Sequence, residues 1–349
     1  MFHSIKLSKG HFSNEAMIKM LRCMCRNGKY ISGSFTRQFS VKSCSQNTSC
    51  ATRPFEEISI SVPWGHIAGK WYGPTNMRPI VGLHGWQDNA GTFDRLAPLL
   101  DTNVGFLSLD LPGHGHSSWF PPGMSYHTMD NISILLRVMD TFKWDKISLL
   151  CHSMSSINGF MFSAFFPDRV DMMVGLDNLK PGVYSSKNVV DFYKKCLKKA
   201  MLREQQMNSE PPCYEWHQLV ERLHNGTKQS VNKETCEFLL KRGVQPSQHQ
   251  PHKYYFSRDS RLKHLFFHIF SEEVPLEMAQ RITSPYLFIK ALQSSHNESN
   301  AALDQTLEIL RRNNNFEYHE VEGSHHFHLN EPERVAPIIN SFISKWRFS

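Results

Sequence analysis

The chain has 349 residues, a hydrophobic share of 40% that is ordinary for a globular protein, and no apolar run long enough to cross a membrane. Its net charge of +7 comes entirely from residues 1–50, which hold eight basic side chains and one acidic one. The rest of the chain has 31 basic and 31 acidic side chains, so no charge surplus predicts nucleic acid or an anionic membrane as a partner.

Residues 1–50 are rich in Arg, Lys and Ser and nearly free of acid, which is typical of a targeting segment. Within them, residues 14–26 can form an amphipathic helix, with Met17 and Leu21 on one face and Arg22 on another. Residues 37–40, Arg-Gln-Phe-Ser, resemble the cleavage site of mitochondrial presequences. We therefore expect a mitochondrial protein, and the alternative is a cytoplasmic protein with a disordered basic tail.

After this leader, short apolar strands alternate with helical stretches, starting with a predicted hairpin over residues 55–62 and 67–72. Further strands are predicted over residues 79–83, 104–109, 146–150 and 170–176, and helices over residues 92–100, 129–142 and 155–166. Such an alternation predicts a mostly parallel sheet with helices on both faces.

The alternation is interrupted between residues 178 and 280, where the pattern is helical. The helices predicted there cover residues 189–203, 216–223, 234–242 and 260–270. Strands over 286–290 and 316–321 follow, with helices over 303–312 and 333–346. We predict one α/β domain built from residues 51–177 and 281–349, with a helical cap over 178–280 that covers a site at the carboxyl ends of the strands.

The segment from Ile147 to Ser156 runs from an apolar strand into a turn of small residues and then a helix. A nucleophile elbow has this arrangement, with the serine of G-x-S-x-G on the turn. Here Ser153 takes the serine position, while Cys151 and Ser155 replace the glycines. These ten residues fit equally well an ordinary strand–helix junction at which Ser153 caps the helix.

Other segments carry a family pattern, namely VPWGHIA over 62–68, LHGWQDNA over 83–90, DRL over 94–96, DLPGHG over 110–115 and FSRD over 256–259. With the elbow, they resemble the serine hydrolase-like subgroup of α/β-hydrolases, of epoxide-hydrolase/haloperoxidase architecture, over about residues 55–346. The resemblance implies an α/β-hydrolase fold with a mostly parallel, eight-stranded sheet and a Ser-His-acid triad. Cys151 and Ser155 depart from it, because the family usually has glycine there.

Acyl transfer places negative charge on a carbonyl oxygen, which two backbone N–H groups stabilise in this fold. One belongs to the residue after the nucleophile, here Met154, and the other comes from the loop after the third strand. The run His84-Gly85-Trp86 occupies that loop, so we assign Trp86 to the oxyanion hole. The alternative for this run is an ordinary tight turn.

A serine needs a base to take its proton, and the histidine comes last in the chain of this fold. His325 follows the last predicted strand, and it precedes Pro332 by seven positions, as in similar hydrolases. His326 and His328 are predicted to be surface or packing residues.

The acid of the triad is less clear from the sequence. The loop after the strand over 286–290 lacks the aspartate that relatives commonly have, and Glu298 is the nearby carboxylate. Some relatives, among them haloalkane dehalogenases, take the acid from the end of the preceding strand, where Asp177 lies. We favour Asp177 and keep Glu298 as the alternative, since Asp177 can also be an ordinary turn residue.

These residues predict a serine hydrolase that cleaves carboxylic esters of small-to-medium apolar acids, with no cofactor and no metal. Metal hydrolysis lacks a His-Glu-x-x-His motif, and a nucleotide role lacks a Gly-rich phosphate loop. An apolar pocket could be built from Phe160, Phe162, Phe266, Phe267 and Phe270, although such residues are more often core. The alternative is a catalytically impaired binding protein on a hydrolase scaffold. The sequence leaves the oligomeric state open.

The altered elbow has a predicted consequence of its own. Side chains at Cys151 and Ser155 are expected to crowd the turn, displace Ser153 Oγ from His325 and slow the enzyme. The competing expectation is that both side chains occupy small spaces fitted to them.

Overall fold

The computed structural model describes residues 53–183, 186–205, 211–294 and 300–347. The predicted targeting segment, residues 1–50, and the alternative acid Glu298 lie outside the described residues. Backbone contacts divide the chain into residues 1–39 and 40–349, and everything below belongs to the second unit.

Ten strands occur in the described part of the chain, and eight of them form one sheet in the order β1-β2-β4-β3-β5-β6-β9-β10. The strands are β1 (Phe55–Val62), β2 (Gly65–Tyr72), β3 (Ile80–Leu83), β4 (Phe106–Leu109), β5 (Ile147–His152), β6 (Val170–Leu176), β7 (Val244–Pro246), β8 (Tyr254–Phe256), β9 (Tyr286–Ala291) and β10 (Phe316–Val321). β2 pairs antiparallel with β1 and β4, and the other neighbours in the sheet are parallel. The predicted fold class, a mostly parallel eight-stranded sheet, is therefore confirmed.

Helices cover both faces of this sheet. They are α1 (Thr128–Phe142), α2 (Met154–Phe165), α3 (Ser186–Gln205), α4 (Trp216–Gly226), α5 (Cys236–Gly243), α6 (Glu273–Arg281), α7 (Asn300–Leu310), α8 (Phe327–Asn330) and α9 (Ala336–Arg347). None of the helices in the described ranges is long and apolar enough to span a membrane.

The core consists of two apolar layers, one on each face of the sheet. Successive strand residues point to opposite faces, so Leu149 and Met173 join one buried cluster while Leu150 and Val174 join the other. The apolar runs of β3 and β5 are buried along their whole length, which is what a central parallel strand covered on both faces requires.

Two predicted helices are wrong. Residues 92–100 form two short 3₁₀ turns, Ala90–Phe93 and Ala97–Leu99, because Pro98 has no N–H to continue a helix. Residues 260–270 form one 3₁₀ turn, Ser260–His264, after which Phe266 exchanges backbone hydrogen bonds with Tyr126 and with Thr128, the first residue of α1. The helix of this region, α6, begins later than we predicted.

The segment predicted as a cap, residues 178–280, joins β6 to β9 and carries α3 to α6 in its described part. It also contains the β7–β8 hairpin, whose three-residue strands are too short to show a sequence pattern. Its small apolar cluster includes Leu219, Leu223 and Leu239 and reaches Leu329 of the main domain. The division into a core and a cap stays a prediction.

Candidate active site

Ser153 lies on the sharp turn between β5 and α2. Its backbone has φ +56° and ψ −120°, a region that residues other than glycine rarely adopt. The Ser153 N–H donates to Leu176 O at 2.9 Å, which ties the turn to β6. The Ser153 side chain makes no capping hydrogen bond with α2. The alternative interpretation of Ser153 as a helix-capping residue is therefore wrong, and the hydroxyl is available for other contacts.

The two side chains that replace the elbow glycines are accommodated. The Ser155 hydroxyl donates to His84 O at 2.6 Å, and the buried Cys151 thiol packs beside Gly159 of α2. Ser153 Oγ lies 2.7 Å from His325 Nε2. The displacement of Ser153 that we expected from crowding is therefore absent, because neighbouring groups leave room for both side chains.

Three side chains from three different loops form a continuous chain of hydrogen bonds. His325, in the loop between β10 and α8, contacts Ser153 Oγ through Nε2 and Asp177 Oδ2 through Nδ1. Asp177 directly follows β6, and its other oxygen, Oδ1, accepts from Lys290 Nζ at 2.8 Å and from the Ala291 N–H at 3.0 Å. These two donors fix the carboxylate, so that Oδ2 is directed at His325.

Burial and charge set the protonation states of this pair. Burial lowers the pKa of the His325 imidazole and outweighs the opposite effect of Asp177. Burial alone would raise the pKa of the Asp177 carboxyl, but the contacts with His325 and then Lys290 lower it. Near neutral pH the imidazole is therefore neutral and the carboxylate is ionised, which is the state in which Nε2 can accept a proton.

Of the two carboxylates predicted as the acid of the triad, the structure describes one. Asp177 meets His325 directly, whereas Glu298 lies outside the described residues. The geometry supports Asp177, and the choice between the two carboxylates stays a prediction.

The predicted oxyanion loop passes close to the nucleophile. A Cβ on Gly85 would lie 3.2 Å from Ser153 Cβ, so glycine is what allows this approach. The backbone N–H groups of Trp86 and Met154 have no acceptor among the described residues. Both groups are thus free to donate to a substrate oxygen. The Trp86 indole donates to Leu262 O at 2.7 Å, which fixes the loop against the predicted cap.

A model of the family described as alpha/beta hydrolase fold matches residues 78–332. The chain belongs to the α/β-hydrolase family. It is similar to the "Probable serine hydrolase" of Drosophila melanogaster, with 36% identity over 295 residues that cover 83% of this chain and 88% of that protein. The human "Serine hydrolase-like protein 2" is 32% identical over 300 residues, which cover 82% of this chain and 93% of that protein.

Solved structures agree with this assignment. A hypothetical protein of Pseudomonas aeruginosa PAO1 superposes with a TM-score of 0.72 at 28% identity, covering 84% of this chain and 99% of that one. An esterase of Mycobacterium tuberculosis superposes with a TM-score of 0.60 at 18% identity, which supports the fold alone. The similarity to the fly and human proteins makes this α/β-hydrolase serine hydrolase-like, as the resemblance implied.

A buried polar network, which sequence reasoning missed, lies behind the triad of this hydrolase. His152 Nε2 donates to His325 O at 2.9 Å, and His326 Nε2 contacts Asp88 Oδ2 at 3.2 Å. His326 and His328 are both buried, so they are packing residues and not surface residues. The position of Asp88 in the run His-Gly-Trp-Gln-Asp-Asn was the available signal.

Part of this network has the composition of a metal site. Ligand atoms of Asp88, His152 and His326 lie within 4.8 Å of one another, which is close enough to hold a metal ion. In the structure, His326 is bonded to Asp88 on one side and to the Ser230 hydroxyl, at 2.8 Å, on the other. This network holds the loop that carries His325.

A cavity of about 650 Å³ opens over the nucleophile of the hydrolase. Loops of the main domain contribute Ser153, His325 and Trp86 to its wall, and the predicted cap contributes Tyr214, Leu223 and Phe256, among others. None of the five phenylalanines that we assigned to an apolar pocket lines it. Phe160 and Phe162 belong to the core cluster, Phe267 and Phe270 pack against it, and Phe266 is buried.

Proposed function

We propose that this hydrolase cleaves carboxylic esters through an acyl-enzyme, with Ser153 as the nucleophile, His325 as the general base and Asp177 as the acid that orients the base. The observation that carries the proposal is the continuous chain from Ser153 Oγ through both nitrogens of His325 to a carboxylate held by two further donors. The substrate is a small molecule, in keeping with a cavity of this size.

The geometry supports the following course for the first half of the reaction. Ser153 Oγ forms a bond to the acyl carbon while its proton passes to His325 Nε2. The N–H groups of Met154 and Trp86 stabilise the negative charge that develops on the carbonyl oxygen. The bond to the alcohol then breaks, and the leaving oxygen takes the proton from Nε2.

The second half repeats these steps with water. Water attacks the acyl carbon, its proton passes to His325 Nε2, and Ser153 Oγ recovers a proton as the carboxylic acid leaves. Asp177 stays ionised throughout and stabilises the imidazolium that forms twice in each cycle.

Labelling with a fluorophosphonate tests this proposal against the alternative of an impaired binding protein. A Ser–His pair in working order reacts covalently, so we expect the mass increase on the peptide that contains Ser153. The Ser153→Ala variant should not be labelled. Ser163→Ala serves as the matched control, because the Ser163 hydroxyl is buried in α2 and bonds to Gly159 O. A folded wild-type protein that resists the probe would favour the binding protein.

We also propose that residues 1–50 direct the protein to mitochondria, on the basis of their composition. Fusing residues 1–50 to a fluorescent protein tests this, and a diffuse cytoplasmic signal would favour the basic-tail alternative.

A further inference from the structure

Among the described residues, the charged groups that line the cavity over Ser153 are mostly basic. Its basic lining residues are Arg203, Arg222, Lys228, Arg258 and Lys263. Asp88 is the one acidic side chain among the lining residues that the structure describes, and it is hydrogen-bonded to His326. Residues 51–349 as a whole hold 31 basic and 31 acidic side chains, so the basic lining of the cavity does not follow from an overall excess of positive charge.

Arg258 differs from two nearby arginines of the predicted cap, Arg242 and Arg261. Arg242 is held by Asp110, at 2.7 Å, and by Glu57. Arg261 is held by Asp259 at 2.6 Å. Among the described residues, no carboxylate lies within ion-pair distance of Arg258, and no acceptor is hydrogen-bonded to its guanidinium. Two of three neighbouring arginines therefore have carboxylate partners inside the protein, and the third faces the cavity.

The environment of Arg258 orients it without neutralising it. Its guanidinium carbon lies 4.5 Å from the centre of the Phe256 ring, so the ring supports one face of the group and leaves its five N–H donors unused. The group is partly buried, and burial lowers its pKa to about 10 although Asp88 acts in the opposite direction. Arg258 is thus charged near neutral pH and poorly solvated.

Lys263 lies close enough to Arg258 and to Arg203 to be affected by both charges. The pKa of Lys263 is lowered first by burial and then by the charges of Arg203 and Arg258. Both arginines therefore repel the Lys263 ammonium, and an anion bound beside Lys263 and Arg258 would relieve this repulsion.

We propose that Arg258, assisted by Arg203 and Lys263, binds a carboxylate or phosphate group of the substrate, so that this protein hydrolyses esters of anionic small molecules. Carboxylates and phosphates match the fork of N–H donors on a guanidinium. The inference rests on the proposed ester hydrolysis and gives it a substrate class. It replaces the purely apolar acyl group that the sequence led us to expect, while Trp86, Leu223 and Phe256 provide apolar parts of the cavity wall.

The first test uses two pairs of esters that differ by one negative charge. The mono-p-nitrophenyl ester of glutaric acid is compared with p-nitrophenyl pentanoate, which places the charge on the acyl side. 4-Acetoxybenzoate is compared with methyl 4-acetoxybenzoate, which places the negative charge on the alcohol side of the acetyl ester. We expect kcat/KM to favour the anionic member of at least one pair by about tenfold, the effect of one well-placed charged hydrogen bond.

Variants at Arg258 then connect this preference to the residue. Arg258→Met should abolish the ratio of anionic to neutral kcat/KM, Arg258→Lys should retain part of it, and high salt should reduce it. Arg312→Met is the matched control, because Arg312 is an exposed arginine just before β10, at the end of the parallel strands opposite to Ser153. Equal ratios in wild type and Arg258→Met, or no anionic preference in either pair, would overturn the proposal.

The second test does not depend on catalysis. In the Ser153→Ala protein, glutarate or inorganic phosphate should raise the melting temperature by binding the folded state, and Arg258→Met in that background should remove the rise. A response to glutarate alone or to phosphate alone identifies which anion the site prefers. If no ester is hydrolysed but this Arg258-dependent rise is present, ester hydrolysis fails while the anion site stands. If esters are hydrolysed and neither anion raises the melting temperature, the anion site fails.

Discussion

Cys151 of β5 packs against Gly159 of α2, and the missing side chain of Gly159 leaves room for Cys151 Sγ as well as for the end of Met173. A Cβ on Gly159 would lie 3.2 Å from Cys151 Sγ and 2.2 Å from the terminal methyl of Met173. The glycine that elbows of this family usually have at position 151 is thus compensated by a glycine one turn into the helix. This relationship explains how Ser153 keeps its contact with His325.

The double change Cys151→Gly, Ser155→Gly should therefore destabilise the protein without making it faster. It removes a buried thiol and the hydrogen bond from Ser155 to His84, and together these losses cost about 2–4 kcal/mol. Melting temperature and kcat/KM should be measured together, with Cys213→Gly as the control, because Cys213 is only half-buried and lies outside the elbow. A double variant with a clearly higher kcat/KM would contradict the fitted elbow.

The two candidate acids should respond differently to neutral substitution. Asp177→Asn keeps the shape of the side chain but removes the charge that stabilises imidazolium, so kcat/KM should fall by roughly 10³–10⁴-fold. Glu298→Gln should have a far smaller effect. Circular dichroism of both variants checks that the fold is retained. The reverse ranking of the two variants would assign the role to Glu298.

The acid limb of the pH–rate profile should lie below the usual range of histidine. His325 must be neutral to accept the Ser153 proton, and burial lowers the pKa of its imidazole. Activity is then full above the lowered pKa and is lost as the pH falls through it, so kcat/KM should persist below about pH 6.5. The profile of kcat/KM for a neutral ester measures this limb. If kcat/KM already falls at a pH above about 6.5, the buried environment that we describe for His325 is contradicted.

Stability should depend on pH through a set of buried histidines. Burial lowers the pKa values of His84, His114, His152 and His328, that of His114 to about 3. These residues stay neutral in the folded protein but take up protons on unfolding below about pH 6.5, so their contribution is present above that pH and is lost as the pH falls.

The free energy of unfolding should accordingly decrease between about pH 6.5 and 5, with each such histidine contributing up to about 1.4 kcal/mol per pH unit. Urea titrations at several pH values measure this slope. His114→Gln should reduce the slope by the contribution of one histidine. If the free energy of unfolding of the wild type does not change with pH, these histidines are not held in the neutral form by burial.

Removing residues 1–50 should leave the described domain intact. Arg53 is the first described residue that anchors the chain, donating to Val104 O at 2.8 Å and to Thr102 O at 3.1 Å. A chain that begins at Ala51 keeps these bonds and all of β1, so it should melt at the same temperature as the full chain. A large drop in melting temperature would show that residues 1–50 contribute to the fold.

The sequence by itself determined the alternation of strands and helices, the position of Ser153 on a strand-to-helix turn and the place of His325 after the last strand, because these are local patterns of apolar and small residues. It could not determine which carboxylate meets His325, since Asp177 is 148 positions away and only the pairing of β6 with β9 brings Lys290 and Ala291 to hold it. The room for Cys151 and the open guanidinium of Arg258 were likewise decided by tertiary structure. In both cases the outcome depends on which residues contact the side chain in the folded molecule, and local patterns in the sequence do not predict these contacts.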